Sequence, residues 1–140
     1  MSKIPRIEGV FETCLYVNDL ESSLKFYKKI FGFETLFEDQ RAVALNVHGR
    51  HVLLLFKQGG SLKPMALPGG TIPSHDASGE IHFALAVEKE DLRTWRVWLQ
   101  ENHIEIESEV TWPLGGTSLY FRDPDRHLVE LLTPGVWAIR

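Results

Sequence analysis

The sequence predicts an α+β domain of two tandem βαβββ modules whose strands form a curved mixed sheet around a cleft. Three observations predict it. A strand, a helix and three short strands follow one another at the start of the chain, the same order returns in its second half, and a segment rich in glycine and proline joins the two copies. The 140 residues suffice for one hydrophobic core but would make each half too small to stand alone. The reading is therefore a single domain over 1–140, with modules at about 8–57 and 81–133 and a connection at 58–80.

Residues 10–17 are rich in β-branched and aromatic types and end at Asn18 and Asp19, which predicts a strand followed by a helix cap from one of those two side chains. Leu20, Leu24, Tyr27 and Phe31 then recur on one stripe of a helical period, and Gly32 stands where a left-handed C-terminal cap is wanted. Strands are expected at about 33–38, 42–48 and 51–57. Between 58 and 80, Gly59, Gly60, Pro64, Pro68, Gly69, Gly70, Pro73 and Gly79 leave no room for a helix or a long strand, so this is a linker or a functional lid. The order then restarts with a strand from Ile81 to Val87. A helix over 89–101 follows, marked by Leu92, Trp95 and Leu99, with Trp95 and Trp98 expected in core and interface. Strands near 104–109, 116–122 and 127–132 complete the second copy, with a turn at Asp123, Pro124 and Asp125.

The formal charge of -4 argues against a phosphate-backbone partner. A single cysteine, Cys14, allows no internal disulfide. The first residues carry no apolar run ahead of a small-residue cleavage site, and the longest apolar run, Val52 to Phe56, is far too short to cross a bilayer. These features read as a cytoplasmic protein with no nucleic-acid or membrane partner.

Strand alternation assigns the faces. Glu12, Cys14 and Tyr16 point one way, whereas Phe11, Thr13, Leu15 and Val17 form an apolar set suited to lie under a helix. In the same way His82, Ala84 and Ala86 oppose Phe83, Leu85 and Val87, and Leu128, Glu130 and Leu132 oppose Val129 and Leu131. A sheet curved away from its helices would bring Glu12, His82 and Glu130 toward one cavity. His48, His51, His103 and His127 show no ligand spacing.

Two stretches carry a resemblance. Glu12 to Leu20, running into Phe26, Tyr27 and Phe31 to Phe33, resembles the opening of the vicinal oxygen chelate superfamily, which includes glyoxalase I, bleomycin resistance proteins, fosfomycin-modifying enzymes and extradiol dioxygenases. Gly115 to Leu132 is similar to its closing pair of strands. The resemblance implies metal ligands at Glu12, where His or Gln is common, at His82 and at Glu130. The first-half counterpart of Glu130 is read as Leu53, which leaves a four-ligand glyoxalase set incomplete and puts Leu53 with the substrate-lining residues. Tyr120, Asp123, Pro124 and Glu130 fit the extradiol dioxygenase pattern, but Arg126 replaces a usual Gly and no His precedes Tyr120 closely, which counts against ring cleavage. A homodimer is also implied, in some members with halves exchanged so that each cavity draws on both chains.

One imidazole and two carboxylates suit one divalent ion, Mn²⁺, Mg²⁺, Zn²⁺, Ni²⁺ or Fe²⁺, and leave open positions for a substrate with neighbouring oxygens. Glu130 or Glu12 could then move a proton as general base. Tyr120, Cys14 and, from the connecting segment, His75 are the remaining candidates for substrate contact. The expectation is a metal-dependent enzyme of glyoxalase or lyase type acting on a small oxygen-rich molecule. The alternative is a metal-free protein that sequesters a drug or metabolite, as bleomycin resistance proteins do.

Overall fold

A computed structural model describes residues 2–139. β1 (Glu12–Val17) leads into α1 (Leu20–Phe31), then β2 (Glu34–Glu38), β3 (Ala42–Val47) and β4 (His51–Lys57). The connecting segment carries a small hairpin, β5 (Met65–Leu67) with β6 (Gly70–Ile72). The second module runs β7 (His82–Ala86), a 3-10 turn (Lys89–Asp91), α2 (Leu92–Glu101), β8 (Ser108–Thr111), β9 (Thr117–Arg122) and β10 (Leu128–Leu132). The modules build two four-stranded sheets, in the orders β1-β4-β3-β2 and β7-β10-β9-β8, and in each the first strand lies parallel to the last while the other pairings are antiparallel.

Local chemistry accounts for the helices. Asp19, in extended backbone, accepts from Glu21 N–H at 3.1 Å and caps α1, while Gly32 at φ 67° closes it with its N–H on the Lys28 carbonyl. The α1 stripe buries Ser23, Tyr27 and Ile30 and half-buries Leu20, Leu24, Phe26 and Phe31. Phe26, Phe31 and Phe83 pack against both core clusters, so α1 is the element on which the two halves meet. Each fully buried leucine or phenylalanine of these clusters contributes about 1.5–3 kcal/mol relative to exposure.

One strand differs from expectation. Sheet pairing of β8 begins at Ser108, opposite Tyr120, and not near 104. The chain leaves α2 through His103 at φ 59°, and Ile104 N–H returns to the Leu99 carbonyl at 2.9 Å. Ile104 and Ile106 are therefore spent packing on the second core before pairing starts.

Buried polar groups join the modules. Tyr27 O–H donates to Asp123 Oδ2 at 2.7 Å, and Asp123 Oδ1 accepts the N–H groups of Asp125 and His127 at 2.9 and 2.8 Å. The His127 ring, 1% exposed, accepts the Ile81 N–H on Nδ1 at 2.9 Å, so its proton sits on Nε2 and goes to the Tyr16 carbonyl at 2.8 Å. A histidine without ligand spacing thus bridges β1 and the entry to β7. In the turn beside it Arg126 is left-handed at φ 66°, which explains why Gly suits that position; its carbonyl accepts from Arg122 and its guanidinium pairs with Glu80. No helix among the described residues is long and apolar enough to cross a membrane.

Removing the Tyr27 donor leaves a buried acceptor unmet, so Tyr27→Phe is expected to lower the unfolding free energy by about 1–3 kcal/mol at neutral pH, read by urea denaturation. Burial holds the Asp123 carboxyl above its ordinary value, against the opposing bonds from Tyr27 and His127. A carboxyl raised in the folded state binds its proton more tightly there, so its contribution is present at low pH and is lost as pH rises through the raised value. Loss of the Tyr27 bond raises Asp123 further. The deficit should therefore shrink at about pH 4, near the ordinary carboxylate range, and a deficit that is equal or larger there would rule out ionised Asp123 as the acceptor.

Candidate metal centre

The open face of the second sheet carries the chemistry. Parallel pairing sets Leu128 beside His82 and Glu130 beside Ala84, and antiparallel pairing sets Tyr120 opposite Glu130. His82 and Glu130 are diagonal neighbours on one face, and their side chains meet with His82 Nε2 at 3.1 Å from Glu130 Oε1. The histidine side chain is 48% exposed and the glutamate 8%. The other ring nitrogen, Nδ1, lies 3.0 Å from the Leu128 carbonyl; a carbonyl only accepts, so Nδ1 carries a proton. In the neutral ring, Nε2 is then a bare lone pair aimed at a carboxylate lone pair. Such a contact is held only by a proton or a cation placed between them.

Glu130 sits in an apolar strand, with Leu128 and Leu132 on its own face and Val129 and Leu131 on the core face, and its second oxygen, Oε2, accepts from Ser118 Oγ at 2.5 Å. An unpaired carboxylate at such a position costs several kcal/mol. The Tyr120 ring lies 6.1 Å from that of His82, and burial, then the neighbouring Glu130 charge, lift its phenol above the ordinary value against a lowering contact from Ser118. Tyr120 therefore stays a neutral hydroxyl able to donate toward a bound oxygen.

The open face of the first sheet holds Cys14, Tyr16, Leu54 and Phe56. Tyr16 and Phe56 stack at 5.6 Å, and His75 from the connecting segment packs edge-on to Phe56 at 4.6 Å and shares a 2.7 Å hydrogen bond with the Tyr16 hydroxyl. Partial desolvation, then the Glu12 charge, push the Cys14 thiol up, which leaves it protonated and a poor nucleophile.

Of the residues expected from sequence, His82, Glu130 and Tyr120 come together, and Cys14 and His75 share the other open face. Two expectations need correction. Glu12 is exposed and stands apart: among the described residues no third His, Cys, Asp or Glu joins His82 and Glu130. Leu53 is 1% exposed and lies under α1 in the first core, so it cannot line a substrate site. Glu12 pairs with Val52 and Cys14 with Leu54, just as His82 pairs with Leu128 and Ala84 with Glu130, so the first-half counterpart of Glu130 is Leu54. Sequence reasoning missed Ser118, whose two-residue offset from Tyr120 already put it on this face, and the Tyr16 and Phe56 pair. Clefts of about 420 Å³ beside Arg41 and Met65 and about 250 Å³ beside Lys25 and Ile104 touch neither His82 nor Glu130; the site in one chain is an open sheet face.

Residues 6–131 match the pattern of the glyoxalase, bleomycin resistance protein and dioxygenase superfamily. The chain belongs to that superfamily. Within it, the chain is 30% identical over 129 residues to the metallothiol transferase FosB of Staphylococcus epidermidis, covering 91% of this chain and 82% of that protein. It superposes on the crystal structure of a lactoylglutathione lyase from Agrobacterium tumefaciens with a TM-score of 0.87 at 31% identity, covering 96% of this chain and 100% of that one. It is also 29% identical over 121 residues to a catechol-2,3-dioxygenase of Bacillus subtilis, which it covers over only 38% of that protein's length. The superfamily fold of two modules, with four strands in each sheet, agrees with the topology above.

The register correction has a direct consequence. Leu53→Glu is expected to cost several kcal/mol or abolish folding, because the charge enters a closed core. Leu54→Glu, on the half-buried open face, is expected to fold with a much smaller loss. Chemical denaturation of the two variants checks the order, and equal losses would refute the assigned faces.

Proposed function

We propose that this superfamily member is a divalent-metal-dependent enzyme that acts on a small oxygen-rich molecule by proton transfer or addition, with a thiol or thiol adduct as the co-substrate class. The observation that carries the reading is the contact of His82 Nε2 with Glu130 Oε1 at 3.1 Å, with Nδ1 turned to the Leu128 carbonyl. One imidazole nitrogen and one carboxylate oxygen fit Mn²⁺, Mg²⁺, Zn²⁺, Ni²⁺ or Fe²⁺. When bound, such an ion supplies Lewis-acid stabilisation of a developing oxyanion. The chain's own groups do the rest. Tyr120 donates a hydrogen bond that orients the substrate, and the burial of Glu130, whose side chain is 8% exposed, keeps water from its carboxylate. The thiol class is suggested by the names of two relatives, a metallothiol transferase and a lactoylglutathione lyase.

The third ligand and the general base are Glu12 of a second copy in this reading, with the protein acting as a homodimer. Three features support it. Glu12 and Cys14 are exposed on β1, which is an edge strand, as is β7 with its His82. The segment leading into β1 exposes Ile4, Ile7, Val10 and Phe11 at 67–96%. The two open sheet faces also lack a wall that a partner would provide.

A metal-free sequestering protein is the second reading, favoured by the Tyr16, Phe56 and His75 cluster, which offers an aromatic platform for a flat ligand. Metal titration separates the two. Uptake of one ion per chain, with a higher melting temperature, is expected for the native protein and not for His82→Ala or Glu130→Gln. Metal-dependent consumption of thiol, or turnover of lactoylglutathione, should fall by about 10²-fold or more in both variants. No stoichiometric uptake of any of the five ions would end the enzyme reading, and ligand binding retained by His82→Ala would favour the second.

A further inference from the structure

Glu130 has two oxygens, and the structure treats them differently. Oε1 faces His82 Nε2, whereas Oε2 accepts from Ser118 Oγ at 2.5 Å. Ser118 is fully buried and receives a hydrogen bond of its own from Trp112 Nε1 at 2.8 Å. The indole N–H is a donor only, so the serine oxygen is the acceptor in that contact and its one hydrogen is directed to Oε2. The direction of the relay, from Trp112 to Ser118 to Glu130, is thereby fixed.

The origin of the relay is itself held in place. Trp112 opens the turn between β8 and β9, its N–H on the Gly116 carbonyl at 2.8 Å and its carbonyl accepting from Gly115 at 2.9 Å. Gly116 N–H in turn donates to the Gly135 carbonyl at 3.1 Å, in the segment that follows β10. The approach is close enough that a Cβ on Gly116 would lie 2.4 Å from the Gly135 carbonyl carbon, so only glycine fits. The residues after β10 thus clamp the turn that carries the indole.

We propose that Trp112 and Ser118 are positioning residues that hold Glu130 as a one-oxygen ligand: they engage Oε2 and keep it out of the coordination sphere, so that a position stays open for a substrate oxygen. The inference rests on the reading of His82 and Glu130 as cation ligands. It adds which oxygen binds and what enforces the choice. Without the relay, Oε2 would be free to swing onto the ion beside Oε1 and occupy the position a chelating substrate needs.

Co²⁺ is the probe, because its visible bands weaken as its coordination number rises. Ser118→Ala is expected to bind Co²⁺ about 10–100-fold more weakly than the native protein, with weaker bands as the second carboxylate oxygen joins the ion. Trp112→Phe, which keeps an aromatic ring but removes the donor, should show the same spectral change with a smaller loss of affinity. Ser118→Thr, which keeps the hydroxyl, should restore both. Circular dichroism melts establish that each variant is folded, and Trp112→Phe carries the test if the Ser118 variants are not. Native affinity and a native spectrum in folded Ser118→Ala and Trp112→Phe would overturn the proposal while leaving the metal site standing. Weaker binding with an unchanged spectrum and no rescue by threonine would also overturn it, by reducing the relay to packing. Failure of the native protein to take up Co²⁺ or any of the five ions would remove the metal reading and this inference together.

Discussion

The parallel register of β7 on β10 places Glu130 beside Ala84 and Leu128 beside His82, and the centre depends on this alignment. Because side chains alternate across a strand, a slip of one residue would turn Glu130 into the core and bring Val129 or Leu131 out to face His82. The register is secured from the other face. Phe83, Leu85, Val129 and Leu131 all reach the second core there, so the apolar half of the alternation fixes where the polar half must stand. The cost of burying a carboxylate on one side is thus carried by hydrophobic packing on the other.

The junction between modules performs a similar task at a larger scale. Tyr27, Asp123 and His127 are all buried, and each polar atom described there finds a partner across or beside the junction. A satisfied buried network is more direction-dependent than an apolar contact of the same area, because its hydrogen bonds fail when the halves rotate. Phe26, Phe31 and Phe83 give the junction its adhesion, and the network sets the angle at which the two open faces lie.

The division between what the sequence revealed and what it concealed follows the same physics. The α1 stripe, the Gly32 cap and the repeat of two modules were legible because amphipathic period and turn chemistry are local. The faces of β1 and β10 were legible because Glu12 and Glu130 interrupt apolar runs and mark the alternation. In β4, three consecutive leucines, Leu53, Leu54 and Leu55, give no such mark, so local pattern points to Leu53 as the counterpart of Glu130 where pairing with β1 assigns Leu54. The start of β8 is concealed because Ile104 and Ile106 alternate like a strand while serving as the exit from α2. The separation of Glu12 from His82 is beyond local pattern altogether, since it depends on how the modules meet.

In the proposed reading, the His82 and Glu130 pair can be occupied in two ways. A proton on Nε2 makes His82 an imidazolium that pairs with Glu130, and a divalent ion replaces that proton between the same two atoms. Either occupant satisfies the buried carboxylate, and Ser118 and Trp112 keep its other oxygen engaged in both cases. The second sheet can therefore fold before any ion arrives, and ion affinity need not be spent on ordering the strands. That separation would suit an open face on a single chain: the parts that demand a precise register are finished within one module, and the third ligand and wall proposed above would come from exposed strand edges.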